Sequence, residues 1–245
     1  MWQKSIFLHL IVLSVHATYL SGAKIHIFGD SHASFCFSNE RTAIPRDEIS
    51  SFTYRRNGVV RSVPFVIHWL GSKTMHAIGR DGLAALNLKN FQIQERDVAV
   101  FVFGEIDARC HIGKQRDLQN RHLDEVIDTL AQNFLNCIEL NKQAFKKLTC
   151  VVVSVTPPTN NAYNWVYPYY GTLEERAFIT KKLNAKLKEL CALYKFKFLD
   201  IHALYATAQG TLDDSVSDGV VHVNPQTNDR IKQLLIDLLR TKHMV

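Results

Sequence analysis

The sequence predicts an α/β protein in which one parallel sheet is covered by helices on both faces. Short apolar, β-branched runs alternate along the chain with segments of helical period. Three of these runs, "VAVFVF", "CVVVSV" and "FKFLDI", lack the strict alternation of a half-buried strand, which is typical of strands covered on both sides. We therefore expect a three-layer α/β/α sandwich with five parallel strands, built as one domain from residues 24–245.

The five strand candidates are apolar runs bounded by polar residues or glycine. They are Lys24–Phe28, Val63–Leu70, Val98–Phe103, Cys150–Val155 and Phe196–Ile201. Asn57-Gly58, ahead of the second run, is typical of a tight turn or hairpin.

Helical patterns separate the later strand candidates. Apolar residues from Leu123 to Ile138 keep a 3.6-residue period, and so do those from Ile179 to Tyr194. Thr172 and Glu175 form a capping-box signature before the second of these helices. The last helix is predicted to begin near Pro225.

Composition excludes several classes of protein. The 245 residues are 47% hydrophobic and 21% charged, enough for a full core without metal or disulfide staples. The net charge of +6 is scattered rather than gathered among aromatics, so we expect no nucleic-acid partner. The 5 cysteines contain no C-x-x-C pair and no zinc spacing, which favours buried thiols and no metal; one disulfide is the alternative.

The first 23 residues differ from the rest of the chain. Lys4 precedes an apolar stretch from Ile6 to Val15, and small residues follow as far as Ala23. This layout is typical of a secretory signal, and the stretch is too short to span a bilayer. We expect a signal peptide at 1–23, no stable membrane insertion and a secreted or periplasmic protein; a cytosolic N-terminal extension is the alternative.

Polar or Gly-rich residues follow each predicted strand, at the edge of a parallel sheet where ligands bind. Ser31 lies between Asp30 and His32 just after the first strand. A serine hydroxyl becomes a nucleophile when a base lies within hydrogen-bond reach and a third group orients that base. His222, in a late loop that also carries Asp218, is the best candidate for the base.

Four sequence blocks in order, "FGDSH", "GSKTM", "GEIDAR" and "DGVVHVNP", resemble the SGNH (GDSL-type) hydrolases. Together they cover essentially the whole chain after the leader. The resemblance implies a flavodoxin-like sandwich that hydrolyses or transfers acyl esters and needs no metal or organic cofactor. It also implies Ser31 as nucleophile, His222 as general base, Asp218 as the residue that orients it, and an oxyanion hole from the N–H groups of Ser31 and Gly71.

Two departures from the family pattern bear on catalysis. Three residues separate Asp218 from His222 where the family has two, so Asp214 or a backbone carbonyl is an alternative partner for the imidazole. Ile106 stands where the family has an asparagine that donates to the oxyanion, and isoleucine cannot donate. We expect Arg109 to replace that donor; the alternative is an ion pair that braces the loop.

The residues expected to contact substrate are Asp30, His32, Glu105, Asp107, Tyr163 and Trp165. His32 packing beside the nucleophile turn, and a hydrophobic mini-core in the aromatic loop of residues 160–171, are alternatives. We expect a serine esterase that removes O-acetyl groups from carbohydrates or cleaves other small acyl esters. An acyltransferase with the same site and a catalytically impaired glycan-binding protein are the competing hypotheses.

Overall fold

The computed structural model describes residues 23–40, 45–161 and 167–240. Six strands form one sheet in the order β2-β3-β1-β4-β5-β6. The strands are β1 (Ile25–Gly29), β2 (Glu48–Arg56), β3 (Val59–Trp69), β4 (Val98–Val102), β5 (Thr149–Val153) and β6 (Lys197–Leu199).

Helices connect the strands and cover both faces of the sheet. They are α1 (Ser31–Phe37), α2 (Met75–Asp81), α3 (Ile112–Leu118), α4 (Leu123–Gln143), α5 (Leu173–Tyr194), α6 (His202–Tyr205) and α7 (Asp229–Arg240). One π-helical segment, Asp107–His111, immediately precedes α3.

The centre of the sheet is buried because its strands carry apolar side chains on both faces. Every residue of β1 and β4 is buried, and β1 pairs in parallel with both β3 and β4. One apolar cluster packs α2, α4 and α5 against the sheet, and a second packs α1 and α7 against its other face. The predicted three-layer α/β/α architecture is confirmed.

The predicted strand count and the all-parallel sheet are wrong, because β2 adds a sixth strand antiparallel to β3. The predicted tight turn joins them: Asn57 and Gly58 have positive φ of 48° and 77°. β2 lies at the sheet edge, and Ile49 within it is 84% exposed. Such a strand needs no continuous apolar run, so its sequence gives no strong strand signal.

Helix boundaries follow local capping. The capping box of Thr172 and Glu175 is present at the start of α5, as predicted. The last helix begins at Asp229 rather than near Pro225, because Pro225–Thr227 forms a separate 3₁₀ turn capped by Asn224.

All 5 cysteines are buried and unpaired, which matches the expectation of buried thiols. Within the three described ranges, no helix is long and apolar enough to cross a bilayer. Those same ranges contain no cluster of three or more side chains suited to holding a metal ion. The predicted leader, apart from Ala23, lies outside the described residues.

Candidate active site

The nucleophile turn follows β1 directly. A Cβ on Gly29 would lie 2.4 Å from the carbonyl oxygen of Val102, so only glycine lets β1 end this close to β4. Asp30 then caps α1 by accepting the N–H of His32 at 2.8 Å. Ser31 is the first residue of α1, which places its hydroxyl at the carboxyl edge of the sheet.

Ser31, His222 and Asp218 form a continuous hydrogen-bonded chain. The Oγ of Ser31 lies 2.8 Å from Nε2 of His222, although 191 positions separate the two residues. Nδ1 of His222 lies 2.9 Å from Oδ2 of Asp218. This is the arrangement in which an imidazole, held in one tautomer by a carboxylate, can take a proton from a serine hydroxyl.

The extra residue between Asp218 and His222 is absorbed by a tight hairpin. The N–H of Asp218 donates to the carbonyl of His222 at 3.0 Å, and Ser217 and Val223 form an antiparallel bridge outside it. Gly219 supplies the positive φ of 82° that the turn requires. Asp218, and not the alternative Asp214, therefore lies at the ring; Asp214 accepts the side-chain amide of Asn161 at 2.9 Å.

The protonation states of His222 and Asp218 suit His222 to act as a general base. Burial lowers the pKa of His222 below its usual 6.5, although Asp218 acts in the opposite direction. Burial also tends to raise the pKa of Asp218, but hydrogen bonds from His222 and Val220 outweigh it and hold that pKa below its usual range. Near neutral pH the pair is therefore a neutral imidazole beside a carboxylate.

The second sequence block lies beside the nucleophile turn. The N–H of Leu70 donates to the carbonyl of Gly29 at 2.9 Å, so Gly71, with a φ of 68°, follows a residue that is bonded to the end of β1. Within the described part of the chain, the backbone N–H groups of Ser31 and Gly71 have no hydrogen-bond partner. Both donors are therefore available to an oxyanion.

The third block forms a buried ion pair. Nε of Arg109 lies 2.9 Å from Oε1 of Glu105, and both side chains are at least nine-tenths buried. The Nε contact is an ion pair without hydrogen-bond alignment, and Nη1 of Arg109 and Oε2 of Glu105 are likewise buried without a hydrogen-bond partner among the described residues. Ile106 between them is 5% exposed and provides no donor. This geometry is compatible with both interpretations, because the ion pair can brace the loop while Nη1 of Arg109 keeps a free N–H for an oxyanion.

Asp107 lies on the other side of the same segment. Its carboxylate accepts the N–H groups of Met75 at 2.8 Å and His76 at 3.2 Å, at the start of α2. Burial raises its pKa to about 7. Asp107 therefore ties the third block to the segment that carries Gly71.

Four of the residues expected to contact substrate are buried in this structure. Asp30, His32, Glu105 and Asp107 are each at most 7% exposed. The other two, Tyr163 and Trp165, fall outside the described residues.

The aromatic loop that contains Tyr163 and Trp165 is anchored at both ends by one buried cation. Arg176 of α5 donates from Nη1 to the carbonyl of Thr159 at 3.0 Å and from Nε to the carbonyl of Thr172 at 3.3 Å. Its guanidinium carbon also lies 4.2 Å from the centre of the Tyr169 ring. Sequence reasoning missed Arg176 because a lone arginine on a helix gives no signal of burial.

Comparison with known proteins gives structural relatives only. No family model matches the sequence, and no curated protein matches it either. The fold is similar to a GDSL-like lipase from Bacteroides thetaiotaomicron, with a TM-score of 0.54, 14% identity, and coverage of 88% of this chain and 87% of that one. It is also similar to an acetylxylan esterase from Geobacillus stearothermophilus, with a TM-score of 0.51, 14% identity, and coverage of 90% and 95%. A third similar structure is a carbohydrate acetylesterase from Sinorhizobium meliloti, with a TM-score of 0.50 and 14% identity. The match covers 88% of this chain and 97% of that one.

The chain has the SGNH-hydrolase fold. Apart from the edge strand β2, the order of its parallel strands, β3-β1-β4-β5-β6, is the flavodoxin-like order. In the SGNH-hydrolase fold seen here, the four sequence blocks meet at one edge of the sheet, although they are distant in sequence.

Proposed function

We propose that this protein is a serine ester hydrolase with Ser31 as nucleophile. The observation that carries the proposal is the Ser31–His222–Asp218 chain, with contacts of 2.8 and 2.9 Å. Those distances fit proton transfer from the hydroxyl to the imidazole. The similarity in fold to lipases and acetylesterases supports the same reaction class.

The proposed reaction has two steps. Ser31 Oγ attacks the ester carbonyl carbon while Nε2 of His222 takes the hydroxyl proton, and the carbonyl oxygen becomes an oxyanion. When the carbon–oxygen bond to the alcohol breaks, the imidazolium returns that proton to the leaving oxygen. Water, deprotonated by His222, then attacks the acyl carbon. The bond to Oγ breaks, the imidazolium returns its proton to Oγ, and the acid leaves free Ser31 behind.

The oxyanion would accept hydrogen bonds from the backbone N–H groups of Ser31 and Gly71. Arg109 is the proposed third donor in place of the family's asparagine. Support for this role is its buried Nη1, which has no partner among the described residues. Glu105 would hold the cation in position, and Asp107 would hold Gly71 close through α2.

O-acetyl groups on carbohydrates are the proposed substrates. Two of the structural relatives are a carbohydrate acetylesterase and an acetylxylan esterase. The loop of residues 160–171, with four tyrosines and one tryptophan, supplies aromatic rings of the kind that stack on sugars, and Arg176 bonds the residues at its two ends. We also propose export, supported by the signal-like pattern of residues 1–23.

The test compares hydrolysis of p-nitrophenyl acetate and of acetylated xylo-oligosaccharides by the wild type and by Ser31→Ala. Hydrolysis that disappears in Ser31→Ala, with labelling of Ser31 by a fluorophosphonate, supports the proposal. Equal rates in the two proteins would overturn it. Acetyl transfer to an added sugar acceptor, in preference to water, would show the acyltransferase alternative instead.

A further inference from the structure

A second histidine lies beside the catalytic one and is more deeply enclosed. His32 follows the nucleophile and is 4% exposed. Its Nδ1 lies 3.1 Å from Oδ1 of Asp30, and its Nε2 lies 3.3 Å from the carbonyl oxygen of Val221. Val221 directly precedes His222, so one imidazole links the nucleophile turn to the loop of the general base.

The two partners of His32 fix its protonation. A carbonyl oxygen only accepts, so Nε2 must carry a hydrogen to bond Val221. Oδ1 of Asp30 already accepts the backbone N–H of His32 at 2.8 Å, so this oxygen also serves as an acceptor. If Nδ1 were unprotonated, its lone pair would face that carboxylate oxygen. Both hydrogen bonds are satisfied only when the ring is a cation.

The charged groups around His32 favour the same state. Asp30 faces it from the turn, and Glu105 faces it from the end of β4, where Arg109 partly neutralises Glu105. Oδ2 of Asp30 is buried without a hydrogen-bond partner in the described ranges, so its charge relies on a nearby cation. Burial opposes a charged His32, but Asp30, Glu105 and the Val221 carbonyl together raise its pKa above 6.5.

We propose that His32 is a positioning residue: a buried imidazolium that fastens the loop of His222 to the turn of Ser31 and electrostatically disfavours protonation of His222. The two rings have centroids 4.7 Å apart, close enough for the charge on one to act on the other. This inference rests on the proposed function, in which His222 must be neutral to act as the base. His32 would act through His222 and the loop rather than on the ester itself.

The kinetic test uses His32→Gln, which can donate to Val221 but carries no charge. We expect kcat to fall by about 10- to 100-fold because the two loops lose their fixed spacing. We also expect the acid limb of the kcat/KM profile to move to higher pH, since the imidazolium no longer lowers the pKa of His222. His122→Gln, at an exposed position before α4, is the matched control and should leave both unchanged. An acid limb at the wild-type pH in His32→Gln overturns the electrostatic role.

A second measurement does not depend on ester hydrolysis or on the variant folding. The ¹⁵N chemical shifts of the His32 ring in the wild-type protein should show both nitrogens protonated at pH 7, where an ordinary histidine is mostly neutral. A single protonated nitrogen would overturn the inference even in an active esterase. Two protonated nitrogens in a protein without Ser31-dependent hydrolysis would instead locate the failure in the proposed function.

Discussion

Phe35 stacks face to face on His222, with ring centroids 3.8 Å apart and an angle of 12° between the planes. Phe35 lies on α1, four residues after Ser31, so the helix that carries the nucleophile also packs a ring against the imidazole. The ring of His222 is thus held by Asp218 at one edge and by Phe35 on one face. Both contacts restrict its rotation away from Ser31.

Replacing Phe35 tests this restriction. We expect Phe35→Ala to lower kcat by about tenfold or more, because small errors in the position of a catalytic group are costly. Phe35→Leu, which keeps an apolar surface against the ring, should lose less. Phe178→Ala, at an exposed phenylalanine of α5, serves as the control in steady-state assays with p-nitrophenyl acetate. Unchanged kcat in Phe35→Ala would show that Asp218 alone orients the imidazole.

Asp218→Asn separates the charge of Asp218 from its role in the hairpin. The asparagine oxygen can still accept the N–H groups of Val220 and His222, which now lie 2.8 and 3.0 Å from Oδ1 of Asp218. Its amide would donate towards Nδ1 and favour the wrong imidazole tautomer. We expect kcat to fall by about 10³–10⁴-fold with little change in melting temperature.

Asp214→Asn is the matched control for that prediction, because Asp214 lies in the same region and bonds Asn161 instead of the ring. It should keep nearly wild-type activity. A larger loss in Asp214→Asn than in Asp218→Asn would reverse the assignment of the orienting carboxylate.

A double variant distinguishes the two interpretations of Arg109, as a donor to the oxyanion or as an ion-pair partner that only braces the loop. Arg109→Met alone leaves Glu105 as an unpaired buried charge, so we expect a lower melting temperature as well as lower activity. Adding Glu105→Gln removes that charge and should recover much of the stability. If Arg109 donates to the oxyanion, kcat in the double variant stays about 10²–10³-fold below wild type. Recovery of kcat together with stability would mean that Arg109 only braces the loop.

A histidine pair on the neighbouring strands β1 and β3 predicts loss of stability in acid. Nδ1 of His26 lies 3.0 Å from Nε2 of His68, and Nε2 of His26 lies 3.2 Å from Asp97. Burial, with a smaller contribution from His26, lowers the pKa of His68 to about 4. The unfolded chain, with histidine near 6.5, therefore binds more protons between pH 6.5 and 4. Stability is complete above this window and is lost as pH falls through it.

Thermal melts at pH 4.5 and 7.0 check this prediction. The wild type should melt at a lower temperature at pH 4.5, and His68→Gln should reduce that difference because the side chain no longer titrates. Some difference should remain, because burial also lowers the pKa of His26. His122→Gln should melt as the wild type does at both pH values. An unchanged pH difference in His68→Gln would rule out His68 as its source.

The features predictable from sequence were those with continuous local patterns. β4 and β5 are uninterrupted apolar runs because both of their faces are covered, and the capping box of α5 lies within four consecutive residues. β2 was missed because an edge strand needs only one apolar face. The π-helical segment at Asp107–His111 was missed too, since its geometry depends on what packs against it.

Within the site, the sequence blocks identified the three residues of the hydrogen-bonded chain but not what holds them. The contact between His32 and the Val221 carbonyl joins residues 189 positions apart and uses a backbone atom, so no pattern of residue types marks it. The stacking of Phe35 on His222 is equally long-range. The burial of Asp30 and Asp107 is likewise a property of the folded chain that no local pattern of residue types marks.

The hairpin between Ser217 and Val223 carries both the carboxylate of Asp218 and the imidazole of His222. Backbone hydrogen bonds and one glycine set its turn, and the buried side chain of Val223 anchors it in the apolar core. A substitution that shifts the hairpin would therefore displace the carboxylate and the imidazole together. The rest of the fold then has to keep this hairpin within reach of Ser31, which the contacts from His32 and Phe35 do from the nucleophile helix.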